Sequence, residues 1–236
     1  RDGYRLKQLD LAAAVAVPAD CSVLLVAGAR EPFSRAEGDR VDAYLRHGGR
    51  LMVLVAPRTG GGLAALLPAW GLRVTSFVAV SSRTLTGSDV VIDDFAPHAI
   101  TRPLAGVSAV FDSAAVLEPV ASADFVGADH VEFTPLARTD AHGWGEADPD
   151  IRPWTFDPSS EPAGPVAVAA ALERGAVSSD LALRPTRIVV IGDAAFVMNG
   201  ALAAYANANQ DFFMNAMAWL AGVDAGTASS ASSAAV

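Results

Sequence analysis

The order of strand and helix signals in the first third of the chain restricts the possible folds more than any other feature. Two apolar runs, at residues 23–27 and 51–55, flank a segment with helical periodicity. Ser34 and Glu37 fit a capping box at the start of that segment, and glycines at 48 and 49 are typical of a helix end. A strand, a helix and a second strand in this order make a βαβ unit, so we predict two parallel strands.

The parallel pattern returns near the end of the chain. Residues 187–191 form an apolar, β-branched run that ends at Gly192 and Asp193, and helices are predicted around 199–206 and 211–220. Further predicted elements are an extended start at 4–11, a helix at 62–70 and a strand at 72–80. The sequence therefore predicts an α/β fold with a mainly parallel sheet flanked by helices.

The middle of the chain has a different sequence pattern. Residues 81–180 contain short β-prone pieces separated by Pro, Gly and Asp, and the proline-rich stretch 140–164 is predicted to be a long surface loop pinned by Trp144 and Trp154. We predict one α/β domain over residues 1–225, with a β-rich insertion at about 81–180. The Ala/Ser/Thr/Gly-rich residues 226–236 are predicted to be a disordered tail.

Composition excludes several classes of protein. A net charge of −9 with no basic cluster argues against nucleic acid and against an anionic membrane surface. No apolar run reaches the roughly 18–20 residues that a membrane-spanning helix needs. The chain begins at Arg1 without an initiator methionine, so we expect that it is a piece of a longer precursor that carried any signal or anchor.

Asp193 is the strongest candidate for a functional side chain. It follows a predicted buried strand, and the carboxyl ends of strands are where α/β sheets place their ligand sites. The alternative is structural: Asp193 would cap a helix or fix a turn by accepting hydrogen bonds from backbone amides. We favour the structural interpretation and keep the ligand-binding role as a hypothesis.

A polar stripe follows on the predicted last helix. Asp211, Asn215 and Trp219 recur every four residues and therefore share one face, with Asn209 at the start of the same segment. Asn215 would lie beside an aromatic ring, and a buried Asn is usually a hydrogen-bonded bridge to a neighbouring strand or loop, because an unpaired amide in a core is costly. A structural role for these polar residues is therefore again a better interpretation than a catalytic one.

No catalytic or metal-binding constellation can be written from the sequence. The single cysteine, Cys21, precedes its strand, whereas a nucleophile elbow places the reactive side chain on the turn after one. The four histidines lack metal-ligand spacing; they are His47, His98, His130 and His142. We therefore predict a protein that is not an enzyme, with no cofactor and no metal.

Several stretches together resemble the auxiliary components of ABC-type transport systems related to the gliding-motility protein GldG. The pattern includes the opening segment 4–11, residues 23–28, Pro32-Phe-Ser34, residues 41–45 leading into 48–54, His98-Ala-Ile-Thr101, Phe133-Thr-Pro-Leu136 and Gly164-Pro-Val-Ala. It continues with Gly192-Asp193, Asn199 and the closing segment 209–220. The resemblance covers residues 4–222, and the family's proline after the histidine is replaced here by Ala99.

The resemblance implies more than the residues alone establish. It implies a domain on the extracytoplasmic (periplasmic) face of the membrane, tethered by helices outside this chain and working with ABC permease and ATPase subunits. It implies a class I glutamine-amidotransferase-like or flavodoxin-like layer, also used in an intraflagellar-transport protein, without the catalytic elbow. The candidate ligand-binding residues are Asp193, Asn199, Asn209, Asn215 and His98.

Two rival functions stay open. One is an amidotransferase-like hydrolase that uses Asp193 as acid or base, with Thr59 or Ser34 nearby; a raised pKa in a closed cleft favours it, and a carboxylate held by backbone amides opposes it. The other is a stand-alone carbohydrate-binding protein with Trp144 and Trp154 exposed along a groove. For the favoured function, a sugar or peptide is a possible ligand at the strand ends near Gly28, Pro57 and Asp193.

Overall fold

A computed structural model of the chain describes residues 4–58, 62–63, 65–120, 129–176, 185–198 and 208–222. The strands are β1 (Leu24–Ala27), β2 (Arg50–Leu54), β3 (Leu72–Val80), β4 (Asp89–Ile92), β5 (Ala109–Asp112), β6 (Ala115–Pro119), β7 (Asp129–Arg138), β8 (Trp144–Glu146), β9 (Ala167–Ala176) and β10 (Thr186–Ile191). The helices are α1 (Arg35–Arg46) and α2 (Ala208–Ala221), and short 3-10 turns cover Leu67–Trp70 and Arg102–Leu104.

The predicted βαβ unit is present. β1 pairs with β2 in parallel, and β2 pairs with β10 in parallel, so that Leu51 is the register partner of both Leu24 and Ile188. Helix α1 has the predicted capping box: Glu37 N–H donates to the Ser34 hydroxyl and the Glu37 carboxylate accepts from Ser34 N–H. The predicted helix start and the glycine end of this unit are confirmed.

The prediction of a mainly parallel, flavodoxin-like or class I glutamine-amidotransferase-like sheet is wrong. The strand order in the main sheet is β1-β2-β10-β9-β6-β3-β8. Strand β7 lies outside this order and pairs with β9 on the edge opposite to β10. Strands β4 and β5 form a separate two-stranded ribbon. Among the described residues two strand pairings are parallel and six are antiparallel. The fold is a mixed, mostly antiparallel sheet with two α-helices in the described part of the chain.

The error has a physical reason. Apolar periodicity predicts that a segment is a strand, but it carries no information about strand direction. Parallel neighbours need a crossover connection, whereas antiparallel neighbours do not, and here β4 with β5 and β9 with β10 are consecutive in sequence and pair antiparallel. Strands β6 and β9 lie in the same sheet as β2 and β10. The domain limits at 81, 180 and 225 stay predictions, and the tail 226–236 lies outside the described residues.

Strand β9 is central, although the sequence does not predict it. It begins with an alanine-rich run, and Ala169, Ala170 and Ala171 are buried on alternating faces of the sheet. Alanine favours helices when isolated, but here pairing with β10 on one edge and β7 on the other overrides that preference.

Two apolar cores lie on opposite faces of the sheet. On one face Val41 and Leu45 of α1 pack against residues such as Leu51 and Val53. On the other face α2 packs against β2 and β10 through Phe212 and its buried neighbours. Successive residues of β2 therefore enter different cores, as expected for a strand buried on both sides.

Three local predictions need correction. The helix predicted at 62–70 is only a 3-10 turn over Leu67–Trp70 in the residues described; Pro68 is one of its first two residues, and Gly71 ends it with φ of 95°. No strand forms in the extended start at 4–11. The predicted loop at 140–164 contains the short strand β8, which pairs with β3. The helix predicted at 199–206 lies outside the described residues.

A search of the described helices for a span both long and apolar enough to cross a bilayer finds none.

Candidate functional site

Gly192 is the point where three strands meet. Its N–H donates to Val168 O of β9 at 2.8 Å, and its carbonyl accepts from Ala115 N of β6 at 2.7 Å. A Cβ at this position would lie 2.4 Å from the carbonyl oxygen of Ala115, so a larger residue cannot occupy it without movement of the backbone. The Gly-Asp pair is therefore a packing requirement of the sheet, and it aims the next residue, Asp193, at β5.

The side chain of Asp193 fixes the turn after β10 and also holds β5. One carboxylate oxygen accepts from Ala195 N at 2.7 Å, and the other accepts from Asp112 N at 3.0 Å. Asp193 is 4% exposed. Burial raises its pKa to about 6, because desolvation outweighs the opposing hydrogen bonds from Asp112, Ala195 and Phe196.

Asn209, near the start of α2, completes the same edge of β5. Its amide oxygen accepts from Val110 N at 2.9 Å, and its amide nitrogen donates to the carbonyls of Val110 at 2.8 Å and Phe196 at 3.1 Å. Asn209 is 1% exposed. Asp193 and Asn209 thus bond alternate residues of β5, in place of a third strand for the β4–β5 ribbon.

The last helix brings two more candidates to a different place. Asn215 donates to Ile100 O at 3.1 Å. One turn later, Trp219 lies edge-on to His98, with ring centroids 4.9 Å apart. His98 Nδ1 faces Ile100 N at 3.2 Å. The structure therefore separates the predicted residues into two groups, Asp193 with Asn209 and His98 with Asn215. Asn199 lies outside the described residues.

A small polar cleft opens beside His98. Its volume is about 180 Å³, and it is lined by His98, Glu132, Thr134, Ala171, Glu173 and Trp219. Arg187 contacts two of these lining residues: its Nε donates to the Glu173 carboxylate at 2.6 Å, and its guanidinium carbon lies 4.6 Å from the centre of the Trp219 ring. Burial, and then the charge of Arg187, lowers the pKa of His98. The cleft can hold only a small group.

Sequence reasoning missed Glu132, Glu173 and Arg187. Glu132 and Thr134 alternate with apolar residues, which is the signal of a strand with one polar face. From that signal, Glu132 could have been predicted to lie on the polar face of a strand. It could not have shown that β7, β9 and β10 lie side by side, which is what brings the three charges together.

The loop at 140–164 makes a contact near the strand ends where a ligand cleft is predicted. Arg58, which follows β2, donates to the Asp150 carboxylate at 2.8 Å. Ser34, named for the hydrolase alternative, donates its hydroxyl to the Glu37 carboxylate at 2.6 Å as part of the helix cap. Thr59 lies outside the described residues.

The two loop tryptophans are bound within the loop. The indole N–H of Trp154 donates to Pro149 O at 3.1 Å, and the Arg152 guanidinium lies 3.4 Å above its ring. The indole of Trp144 donates to Glu146 at 3.3 Å. One face of Trp154 is therefore already covered, which reduces the surface that it offers to a sugar.

Cys21 lines a larger groove of about 890 Å³ between the segment 15–22 and α1. Burial raises the pKa of its thiol, so the thiolate is disfavoured. Tyr44, in the same groove, accepts from Arg50 N at 3.0 Å, and burial raises its pKa to about 12. The Tyr44 hydroxyl bonds both the N–H and the C=O of Arg50 and so stabilises the start of β2. Within the described part of the chain no three His, Cys, Asp or Glu side chains are arranged to hold a metal ion.

Comparison with solved structures identifies the class of fold. The chain is similar to the mmIFT52 N-terminal domain, with a TM-score of 0.60 and 16% identity over 86% of this chain and 78% of that chain. The expected likeness to an intraflagellar-transport protein is therefore found, while the parallel α/β class is not. At this identity the likeness shows the fold alone.

The family is shown by the sequence. Residues 1–216 match the family described as an ABC-type uncharacterized transport system, and the chain belongs to this family. It is an auxiliary component of an ABC-type transport system. A comparison with curated proteins finds no match.

Titration of Asp193 should make stability depend on pH. Its folded pKa of about 6 lies above the value of about 3.9 typical of an unfolded chain, so the folded state binds the extra proton between these values. The contribution is fully present below pH of about 4 and is lost as pH rises through about 6, on the order of 2–3 kcal/mol. Urea unfolding of the protein and of Asp193→Asn at several pH values should show a difference that changes in this window. A constant difference would show that Asp193 does not titrate there.

Removal of the Asn209 amide should destabilise the protein more than removal of the Asn215 amide. Asn209→Ala leaves the N–H and C=O of Val110 and the C=O of Phe196 without their partner, at a cost on the order of 3 kcal/mol. Asn215→Ala removes one half-buried hydrogen bond, at a cost of about 1 kcal/mol. Urea unfolding measures both. Equal losses would mean that Asn209 does not hold the β4–β5 ribbon.

Proposed function

We propose that this chain is a non-catalytic, extracytoplasmic binding or scaffold domain of an ABC transporter auxiliary component. Membership in the ABC-type transport family is the observation that carries the proposal. The proposed partners are the permease and ATPase subunits, and the proposed system is one of export or gliding motility. Tethering is proposed through membrane segments that are not part of this chain.

The use of the polar side chains supports a non-catalytic role. Asp193 and Asn209 are buried and bonded to backbone groups, and Asn215 is bonded to a backbone carbonyl. A general acid or base must reach the proton that it transfers, at about 2.6–3.2 Å. Both oxygens of Asp193 already accept from amides, so this residue is better suited to docking the β4–β5 ribbon.

One observation favours the hydrolase as a second candidate. The pKa of Asp193 is raised to about 6 by burial, and a raised carboxyl pKa is common in general acids. The 4% exposure of this residue opposes it, because a substrate has little access to the carboxyl group. A hydrolase would lose its activity in Asp193→Asn while keeping its fold, whereas a scaffold would keep its partners.

Co-purification tests the partnership. The full-length protein, tagged and extracted from membranes in mild detergent, should retain an ABC permease and an ATPase subunit. A matched protein that lacks residues 4–222 but keeps its remaining sequence should lose at least one of them, because the proposed scaffold is gone. Mass spectrometry of the eluates provides the measurement. Absence of ABC subunits from the intact protein would refute the partnership.

Surface labelling tests the location. Ser76 of β3 is exposed, so Ser76→Cys in a Cys21→Ala background presents one accessible thiol. In intact cells that make the full-length protein, a membrane-impermeant maleimide should label this thiol before lysis. The Cys21→Ala protein alone is the control, and a thiol of the ATPase subunit marks the cytoplasm. Labelling that occurs only after lysis would contradict an extracytoplasmic location.

A further inference from the structure

Two loops that contact each other carry exposed apolar side chains. Leu85, in the turn between β3 and β4, is 64% exposed, and Ile151, in the loop between β8 and β9, is 67% exposed. The loops meet where the Arg152 guanidinium donates to Gly87 O at 3.1 Å. Phe156, in the same loop as Ile151, is exposed as well. Apolar side chains grouped on a surface mark contacts with a protein or a membrane, because burying them there is favourable.

Internal contacts hold the longer of these loops in one conformation. The Arg152 guanidinium lies 3.4 Å above the ring of Trp154. The Glu161 carboxylate accepts from Ala147 N at 2.9 Å and from Asp157 N at 2.8 Å, and so ties both ends of the loop together. A surface that is ordered before binding loses less conformational entropy when a partner binds.

The turn that carries Leu85 is ordered in a similar way. The carboxylate of Asp89, which is buried, accepts from Leu85 N at 2.8 Å and from Thr86 N at 2.6 Å. The hydroxyl of Thr84 donates to the same carboxylate at 2.9 Å. The backbone of Leu85 is therefore held by a buried side chain, while its own side chain lies outside the core.

The charge around these apolar side chains is negative. Residues 140–161 contain six acidic side chains and one arginine. Asp150 forms an ion pair with Arg58 at 2.8 Å. Glu146, Asp157 and Glu161 accept hydrogen bonds from uncharged donors, which do not neutralise their charge. The edge of the apolar surface therefore attracts cationic groups.

This charge decides among three possible occupants of the surface. An anionic lipid surface would place negative charge against the acidic loop. A second copy of the chain, with its net charge of −9, would do the same. Like charges brought together across an interface cost free energy, whereas a cationic partner gains it. A protein segment that is both apolar and basic fits the apolar centre and the acidic edge.

We propose that Leu85, Ile151 and Phe156 form a docking surface for a protein segment in which Lys or Arg residues flank apolar side chains. The proposal rests on the scaffold role proposed above, and it names the kind of surface that a partner presents to this chain.

Photo-cross-linking in cells tests the proposal. The full-length protein carries p-benzoylphenylalanine in place of Ile151, and a control carries it in place of Val15, which is another exposed apolar residue. Irradiation should give a protein adduct at 151 that the control lacks. Mass spectrometry should locate the cross-link in a segment where Lys or Arg flank apolar residues. An adduct with lipid alone, with a second copy of the chain or with a segment poor in Lys and Arg would overturn the proposal, as would no adduct above the control.

Paired variants test the two parts of the docking surface. Ile151→Ser combined with Leu85→Ser removes apolar side chains, and Asp148→Lys reverses an exposed charge next to them. Each should lower the amount of the cross-linked partner that co-purifies with the full-length protein on the order of tenfold. Val15→Ser and Asp39→Lys make matched changes at exposed positions elsewhere and should leave this amount unchanged. Unchanged co-purification in both surface variants would overturn the proposal.

The Tm separates loss of docking from loss of fold. Substitutions at exposed positions should leave the Tm within about 2 °C of that of the unchanged protein. If the double serine variant lowers the Tm further, Asp148→Lys alone decides the outcome. ABC subunits that stay bound to both surface variants refute the docking surface and leave the scaffold role intact. A basic cross-linked segment from a protein outside the ABC system supports the docking surface and refutes the proposed partners.

Discussion

The meeting of β10, β9 and β6 at Gly192 is the constraint on which the arrangement of the rest depends. Its N–H and C=O bond Val168 and Ala115, so one residue joins the parallel strands to the antiparallel ones. The approach is too close for any side chain at that position. The next residue, Asp193, must then leave the sheet, and its carboxylate meets the edge of β5. Two neighbouring residues thus determine how the sheet continues and where the β4–β5 ribbon attaches.

The ribbon is held by side chains because no strand pairs with its inner edge in the described structure. Val110 and Asp112, two residues apart on β5, direct their N–H groups to Asn209 and Asp193. A buried N–H without a partner costs about 1–3 kcal/mol, which is comparable to the penalty for burying the Asp193 charge. The Asp193 carboxylate and the Asn209 amide are therefore tolerated in the core because they satisfy backbone groups of β5. The same arrangement explains why a carboxyl group with a raised pKa can be structural.

Sequence reasoning succeeded where one segment carried the whole signal. Ser34 and Glu37 mark the start of α1, and the apolar run before Gly192 marks β10. It failed where the outcome depends on pairing between distant segments: strand direction, the position of β9, and the row formed by Glu132, Glu173 and Arg187. The alanines at 169–171 illustrate this limit, because their strand conformation comes from neighbours on both edges. The structural interpretation of Asn215 needed no pairing information, since an amide placed in a core needs partners, and Asn215 donates to Ile100 O.

The two faces of the sheet differ in a way that bears on function. On the α1 face, apolar side chains such as Val41 and Leu45 close over the parallel strands. On the other face α2 ends at Ala221, and beyond Trp219 the strands β7 and β9 carry Glu132 and Glu173 beside an open cleft. The two faces therefore differ in what they present: an apolar contact with α1 on one, and charged side chains beside a cleft on the other.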